Sequence, residues 1–313
     1  MLRPDMELSG RRVLVTGGAG FIGSHLAESL LPENDVTVVD DFSSGRREWV
    51  PTAAAVVEGN VGDPTVAHEA ITADLDFVFH CAAEKQVDAA DPRRQFEDNV
   101  GMTYTVLERM REVDVRRLLF TSSSTIYGEA PRPTPEGYGP LEPISAYGAA
   151  KLAEEGLCST YAHSYGFTVW NVRFANIVGP RLQRGAVIPD FIAKLRDDPA
   201  TLEILGDGRQ EKSYLHVTDC VDAMCHVVEH ADGAMNTFNL GTRSTTSVTR
   251  IADIVSDEMD LDPTYDFTGG DRGWTGDVPR MRLAIEKLST LGWEPTLESD
   301  EAVRRATREL LAD

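Results

Sequence analysis

Lysine is nearly missing from this chain. Only Lys85, Lys151, Lys194, Lys212 and Lys287 stand among 30 basic residues, against 51 acidic ones, for a net charge of −21 at pH 7. Neutralising a nucleic-acid backbone takes a basic surface, so the balance argues against a polynucleotide partner. Long apolar runs are missing too. No stretch approaches the ~20 residues that a membrane-spanning helix needs. The acidic, polar N-terminus does not read as a secretory signal. A cytoplasmic protein away from the membrane is therefore expected. Cysteine is scarce and scattered, at positions 81, 158, 220 and 225. Cys220 and Cys225 lack a second Cys/His pair at metal-ligand spacing, so the four read as small apolar residues of a reducing compartment. His25, His68, His80, His163, His216, His226 and His230 form no ligand set either. No metal is expected.

What the chain does contain is an ordinary apolar share, 42% of 313 residues, enough for a sizeable core. Short β-rich runs alternate with helical segments through the first half, which is the pattern of βαβ units on a parallel sheet. Strands are expected at Arg12–Thr16, Val36–Asp40, Ala55–Glu58, Phe77–His80, Leu118–Thr121 and Thr168–Arg173. Helices are expected at Phe21–Leu31, Pro92–Glu112 and from Tyr147 to about Ser164. The strands are apolar throughout rather than alternating, as when helices cover both faces. The fold class is thus α/β, a Rossmann-type doubly wound parallel sheet with a smaller C-terminal lobe. Residues 1–179 make the dinucleotide-binding domain, with 213–241 returning to it. Residues 180–212 and 242–313 make the lobe, where Gly/Pro-rich loops separate helix-like pieces.

Two motifs carry chemistry. The glycine turn Gly17-Gly18-Ala19-Gly20-Phe21-Ile22-Gly23 follows the first strand and opens a helix. Gly17 permits the tight turn, Gly20 the approach of a pyrophosphate, and Gly23 close helix packing. The pyrophosphate would rest on the helix N-terminus. Asp40 lies 23 residues past Gly17, at the end of the next strand, where an acid hydrogen-bonds the adenosine ribose and repels a 2′-phosphate. NAD is preferred to NADP on that ground, with Arg46 and Arg47 as the opposing signal. The second motif is Tyr147 with Lys151 four residues on, one helical turn away on the same face. Of the eight tyrosines, only Tyr147 has a lysine at that spacing. A free phenol has a pKa near ~10, so half-ionisation at pH 7 takes roughly 4 kcal/mol of differential stabilisation. The Lys151 ammonium and the positive ring of an oxidised nicotinamide are its expected sources.

With these motifs in place, the whole chain resembles the extended short-chain dehydrogenase/reductase family, in its NAD-dependent sugar-nucleotide epimerase/dehydratase branch. The resemblance rests on TGGAGFIG (16–23), VVDDFSSG (38–45), HCAA (80–83), TSSSTIYG (121–128), YGAAK (147–151), RFANIVGP (173–180) and GDGRQEKSYLHVTD (206–219). It implies cofactor contacts from Gly17, Gly20, Phe21, Ile22, Gly23, Asp40, Asp41, Ser43, Ser44, Gly45, Asn60, Val61, Ala82, Ala83, Lys85, Asn99 and Ser122, with Tyr147 and Lys151. Asn60 departs from the aspartate usual there. Asp63 is implied to stand beside the adenine. Ser123 is implied to assist Tyr147, with Thr125 as a second contact. For the substrate, a nucleoside diphosphate sugar, the resemblance implies Asn176, Lys212 and Arg272. Lys212 stands where the family commonly has an arginine. Trp274 and Met281 are implied near the pocket.

The positions after Ser123 separate the reactions of the branch. Dehydratases carry an Asp-Glu pair where this chain has Ser124-Thr125, and decarboxylating relatives carry a glutamate at the Thr125 position. Neither carboxylate is present, which favours inversion at C4 through a transient 4-keto sugar. Net reduction or dehydration of a nucleotide sugar is the alternative reading, and a non-catalytic NAD sensor the third. Relatives dimerise through the two long helices, so a homodimer is expected, with Val100, Val106, Leu107 and Met110 on one helix and Leu157 and Tyr161 on the other supplying the face.

An acidic, lysine-poor surface is similar to that of proteins from salt-in halophiles. Self-repulsion at this net charge is relieved by screening. Thermal or urea unfolding in molar KCl is therefore expected to show a clearly higher midpoint than in dilute buffer. Equal midpoints would rule out salt dependence.

Overall fold

A computed structural model describes residues 7–85, 91–273 and 276–312. In chain order the first elements are β1 (Arg12–Thr16), α1 (Phe21–Leu30), β2 (Asp35–Asp40), β3 (Ala55–Glu58), α2 (Pro64–Ala70), β4 (Phe77–His80), α3 (Pro92–Glu112), β5 (Arg117–Ser123), α4 (Ala146–Tyr165) and β6 (Thr168–Phe174). They are followed by β7 (Asn176–Val178), α5 (Val187–Asp197), β8 (Thr201–Ile204), β9 (Glu211–Lys212), β10 (Tyr214–His216), α6 (Val217–His230), β11 (Met235–Leu240), β12 (Thr246–Ser247), α7 (Val248–Glu258), β13 (Thr264–Phe267), β14 (Arg280–Met281), α8 (Glu286–Ser289) and α9 (Ser299–Ala312). No helix among the described residues is long and apolar enough to cross a membrane.

The chain divides into two compact units. The first holds residues 1–126, 146–173 and 221–238. Its centre is a seven-stranded sheet in the order β11-β6-β5-β4-β1-β2-β3. The chain moves outward from β1 to β3, then returns to lay β4 on the other side of β1. Strand order reverses there, and an open parallel sheet forms its ligand crevice at such a point. The strands on either side run parallel, with Thr16 opposite both Val39 and His80. The carboxyl ends of β1, β2, β4 and β5 therefore bring Thr16, Asp40, His80 and Ser123 to one edge of the sheet. Leu14, Val78, Leu118 and Phe120 from the strands pack with Val106, Leu107 and Met110 of α3 and Cys158 of α4 in a closed core.

Local chemistry sets the helix starts. Asp63 accepts from the Thr65 amide at 2.8 Å ahead of Pro64, so it caps α2. Asp91 does the same for α3, accepting from the Arg94 amide at 3.0 Å ahead of Pro92. A short polar cap followed by proline satisfies one orphan amide and removes another. α1 differs: Gly20 caps it without a side-chain bond, and its first turn holds no acid.

The second unit comprises residues 127–145, 174–220 and 239–313. Its own core joins Ile188, Phe191 and Leu195 of α5 to Ile251, Ile254 and Val255 of α7 and Ala302, Val303 and Ala306 of α9. Three small ladders complete it: β7 with β10, β8 with β13, and β9 between β12 and β14.

Two expectations change. Of the late segments, Met235–Leu240 joins the large sheet beside β6, but Tyr214–His216 does not. It pairs in parallel with Asn176–Val178 instead, Tyr214 against Asn176. The expected dimer face changes as well. Val106, Leu107 and Met110 are fully buried and Tyr161 nearly so, all within the protomer's own core, while Val100 and Leu157 are partly exposed. The exposed large apolar side chains of these helices are Phe96, Tyr104 and Tyr165.

Trp170 in β6 is fully buried, and its indole N–H donates to the Ala231 carbonyl at 2.9 Å. Trp170→Phe fills most of the same volume but strands that carbonyl. A loss of about 1–3 kcal/mol in denaturant unfolding is expected; no change would show that the bond contributes nothing.

Candidate active site

The cofactor half of the site begins at the glycine turn. Gly17 has a φ of +65°, and a Cβ on it would stand 2.7 Å from the backbone N and Cα of Ala82. A Cβ on Gly23 would stand 2.2 Å from the Gly17 carbonyl oxygen. The turn is thus pressed against the loop after β4 on one side and clasped by α1 on the other. No larger residue fits either place without moving backbone. The α1 N-terminus, free of side-chain caps and acids, presents its amides where a pyrophosphate would lie.

Asp40 ends β2 with 8% of its surface exposed. One carboxylate oxygen accepts from the Ala19 amide at 2.9 Å, the other from the Phe42 amide at 2.8 Å. Burial lifts its pKa above the ordinary carboxylate value, and these two amides pull the other way. The arginines beside it are engaged elsewhere. Arg47 pairs with Glu58 and covers the Phe42 ring, while Arg46 covers the Trp49 ring at 5.1 Å. An anchored carboxylate with both cations turned to other partners fits NAD, whose ribose donates hydroxyls, and disfavours a 2′-phosphate.

The remaining cofactor positions line up around this edge with different roles. Ser43 donates its amide and hydroxyl to Asp41, at 2.9 and 2.5 Å, and Ser44 continues the same turn. Gly45 lies against Ala19, where a Cβ would meet backbone at 2.8 Å. Asn60 donates to Asp41 at 3.2 Å and accepts from the Gly62 amide at 2.8 Å, which shapes the turn ahead of buried Val61. Phe21 is buried and Ile22 partly so; Ala82 and Ala83 are partly exposed, and Lys85 is exposed. Asn99 is buried and spends its amide on the Glu84 backbone, accepting from N and donating to O, each at 2.9 Å. It holds the loop rather than offering a free group. Asp63, implied beside the adenine, is the α2 cap described above.

The catalytic half sits on β5 and α4. Tyr147 occupies the first turn of α4 and is half-buried. The Lys151 ammonium, 1% exposed, lies 5.8 Å from the centre of the Tyr147 ring and 4.6 Å from that of Phe120. Burial raises the Tyr147 pKa, Lys151 lowers it, and Glu154 raises it again, for a net rise. On these groups alone Tyr147 stays a phenol at neutral pH. Ser123 ends β5, and its hydroxyl oxygen accepts from the Thr125 amide at 3.2 Å and the Thr125 hydroxyl at 2.9 Å, so its own proton is left to donate. Ser122, alternating to the other face, is 2% exposed and donates to Glu155 at 2.5 Å. Any cofactor contact from Ser122 falls to its backbone.

Among the second unit's residues, Asn176 lies beside the buried Tyr214 hydroxyl. Lys212 donates to Asp277 at 2.5 Å, and Asp277 is 3% exposed. Arg272 donates to the Asp277 carbonyl at 2.8 Å and pairs with Glu129. Met281 is buried, and Trp274 lies outside the described residues.

Sequence reasoning missed several partners. Glu155 receives Arg173 as a two-pronged pair, from Nε at 2.9 Å and Nη2 at 2.7 Å. Glu154 faces Lys151 at 3.3 Å. Both follow Lys151 on the helix, and the i,i+3 spacing of Glu154 was the available signal. Glu129 and Asp277 come from distant loops and left no such mark.

Residues 13–241 match the model of the NAD dependent epimerase/dehydratase family. A putative UDP-glucose 4-epimerase of Methanocaldococcus jannaschii is 30% identical over 94% of this chain and 96% of its own length. UDP-glucuronic acid decarboxylase 1 of Arabidopsis thaliana is 32% identical over 94% of this chain and 68% of its own. A crystal structure of UDP-galactose 4-epimerase is 43% identical, with a TM-score of 0.87 over 96% of this chain and 98% of that one.

Two glycine substitutions test the cradle. Gly23→Ala is expected to weaken NAD binding at least tenfold by calorimetry, because the new methyl must push the turn. Gly156, in α4, is the control, since a methyl added there would meet nothing within 4 Å. Gly156→Ala is expected to leave NAD binding unchanged and to raise stability by up to ~1 kcal/mol.

Proposed function

The chain belongs to the NAD-dependent epimerase/dehydratase family, and we propose that within it the protein inverts C4 of a nucleoside diphosphate sugar, as a UDP-glucose/UDP-galactose 4-epimerase does. One observation carries the reading: Tyr147 and Lys151 stand ready as acid and base, while the turn after Ser123 offers Ser124-Thr125 and no carboxylate. β-Elimination and decarboxylation each need an additional acid or base beside the sugar, and this turn has none to give. The 4-epimerases among the similar proteins support the same reading.

Bound NAD supplies a hydride acceptor and returns the same hydride, so the reaction needs no outside reductant. Tyr147, as phenolate, takes the proton of the C4 hydroxyl while C4 gives up its hydride. Ser123 donates to the same sugar oxygen and stabilises the charge passing through it. Lys151 holds the phenolate form by its charge. After the 4-keto sugar turns over, Tyr147 gives its proton back to the oxygen as C4 regains hydride on the opposite face. Proton and hydride both return, and the net change is one stereocentre.

In this reading Asn176, Lys212 and Arg272 bind the diphosphate. Arg272 exchanges its surface pair with Glu129 for a bidentate grip on phosphate oxygens. Lys212 is a point charge already committed to Asp277, and contributes by neutralising rather than by forking. A homodimer joined through α3 and α4 would cover Phe96, Tyr104 and Tyr165. A cytoplasmic enzyme working at high salt completes the proposal.

Product analysis by NMR tests it, with UDP-glucose and UDP-galactose supplied separately in molar KCl and no reductant. Interconversion without net NADH is the expected result. An accumulating 4-keto product would sink the 4-epimerase reading. Tyr147→Phe is expected to lower turnover by about a hundredfold to ten-thousandfold while NAD still binds, since general acid–base catalysis is commonly worth 10²–10⁴. Undiminished turnover would remove Tyr147 from the chemistry.

A further inference from the structure

Lys151 is a cation with almost no access to water, and such a group keeps its proton only if something nearby replaces its hydration. Glu154 is the one carboxylate facing it that has no other cation among the described contacts. Its Oε2 lies 3.3 Å from Nζ and accepts no hydrogen bond. Its Oε1 accepts from the Thr103 hydroxyl at 2.6 Å and, more weakly, from Lys151 Nζ at 3.4 Å.

That hydroxyl ends a buried chain with a definite direction. The Ala82 amide donates to Thr16 Oγ1 at 3.1 Å. Thr16 Oγ1 lies 2.7 Å from His80 Nδ1, and His80 Nε2 lies 3.0 Å from Thr103 Oγ1. Thr103 gives its proton to Glu154, so it must accept from His80, which puts the imidazole proton on Nε2. Nδ1 is then bare and receives the proton of Thr16. Every donor in the chain points toward Glu154. Thr16, His80 and Thr103 are fully buried, and burial, with Lys151 nearby, drops the His80 pKa to about 3. The imidazole is therefore neutral, and no second cation competes for the carboxylate. The chain starts at Thr16, which directly precedes Gly17, and at Ala82, whose backbone Gly17 packs against.

We propose that Glu154 is a positioning residue of the active site, its buried carboxylate serving as the fixed counter-ion that keeps Lys151 charged and in place beside Tyr147. The assignment rests on the reading of Tyr147 and Lys151 as the acid–base pair. The other groups facing the pair do not fill the role. Glu155 on α4 is engaged by Arg173 of β6 and Ser122 of β5. Burial pushes the Cys81 thiol, after β4, up to about 12, and lifts Cys158 on α4 likewise. Phe120 of β5 offers only its ring. Burial alone would lower the Lys151 pKa; the neighbouring groups, Glu154 foremost by charge and hydrogen bond, outweigh it and leave it above the ordinary value. Lys151 thus stays protonated through neutral and mildly alkaline pH, and loss of Glu154 removes the main support.

The small lysine count makes the test direct. With lysine Cε labelled, the NAD-bound protein has five lysine signals to follow through a pH titration by NMR, and the Lys151 signal is assigned by its loss in Lys151→Arg. In Glu154→Gln the Lys151 titration is expected to fall by about two pH units or more, the scale on which buried lysines move. The alkaline limb of kcat should move down with it. A Lys151 signal that titrates at the same pH as in the wild type would overturn the assignment. If Glu154→Gln does not fold, Thr103→Val carries the test. It keeps both charges, removes the hydroxyl donor to Oε1, and is expected to shift Lys151 in the same direction by a smaller amount; no shift would likewise overturn it. A wild-type protein that shows the Lys151 behaviour yet converts no nucleotide sugar would sink the proposed epimerisation and leave the counter-ion assignment standing.

Discussion

Four ionisable groups are buried around two turns of one helix, and the first unit is organised to tolerate them. Lys151, Glu154 and Glu155 lie on α4, and Arg173 comes from β6, each with under a tenth of its surface exposed. Removing charges from water is expensive, and a buried pair breaks even only when geometry and further hydrogen bonds are good. Glu155 and Arg173 meet that condition by a two-pronged pairing with Ser122 as a third donor. Lys151 and Glu154 meet it less completely, since one carboxylate oxygen lacks a hydrogen bond. The first pair reads as architecture that fixes α4 against the sheet. The second is looser and lies beside the group proposed to exchange protons, where a charge must respond to what binds. The net rise in the Tyr147 pKa fits that division: the protein alone holds the phenol, and in the proposed reaction a further positive charge beside it would favour the base.

The sheet places these groups. Strand order reverses between β1 and β4, so Thr16 and His80 face one another at the carboxyl edge where the glycine turn begins. The close approach of Gly17 to Ala82 then follows from two strands of one register ending side by side. The same edge presents Asp40 two strands from His80 and Ser123 one strand to its other side. A cofactor that spans the edge therefore touches the ends of several strands, each rigid because both faces are covered. The helix caps assist the arrangement by their difference. α2 and α3 begin on aspartates that satisfy their own amides, whereas α1 begins on glycine and leaves its positive end for an anion.

Much of this is legible in the sequence because it is local. The glycine turn, the Tyr147–Lys151 spacing and α3, expected from Pro92 to Glu112 and found with those bounds, depend on residues within a turn or two of one another. What is not legible depends on partners far apart. The segment 213–241 reads as returning to the dinucleotide-binding domain, but nothing in three buried residues of it, Tyr214–His216, says whether they join the large sheet or Asn176–Val178. Val106, Leu107 and Met110 read as an apolar stripe, and a stripe does not say whether it meets its own chain or another copy. His80 belongs to no ligand set in the sequence, and its neutral, doubly bonded imidazole is equally silent there, because the hydroxyls on either side of it come from β1 and α3. The carboxylates on Lys212 and Arg272 are the sharpest case: Asp277 and Glu129 lie 65 and 143 residues away in the chain.

Those two carboxylates bear on how an anionic substrate is held by a protein of net charge −21. Long-range attraction cannot draw a diphosphate toward such a surface, since the overall field repels it. The attraction must be short-ranged. Asp277 is buried, so its hold on Lys212 does not yield to a competing anion without stranding a charge. Glu129 is on the surface, with half its side chain exposed, and a surface pair is worth little. Of the two cations proposed to bind the diphosphate, Arg272 is thus the one available at low cost, and its planar fork suits two phosphate oxygens at once. Salt works in favour of this arrangement. At molar ionic strength the screening length falls to about 3 Å, which removes the repulsion across the surface and leaves a contact between bonded charges almost intact. The same screening that relieves crowding among 51 acidic residues would let the substrate approach, so stability and substrate capture are expected to rise together with salt.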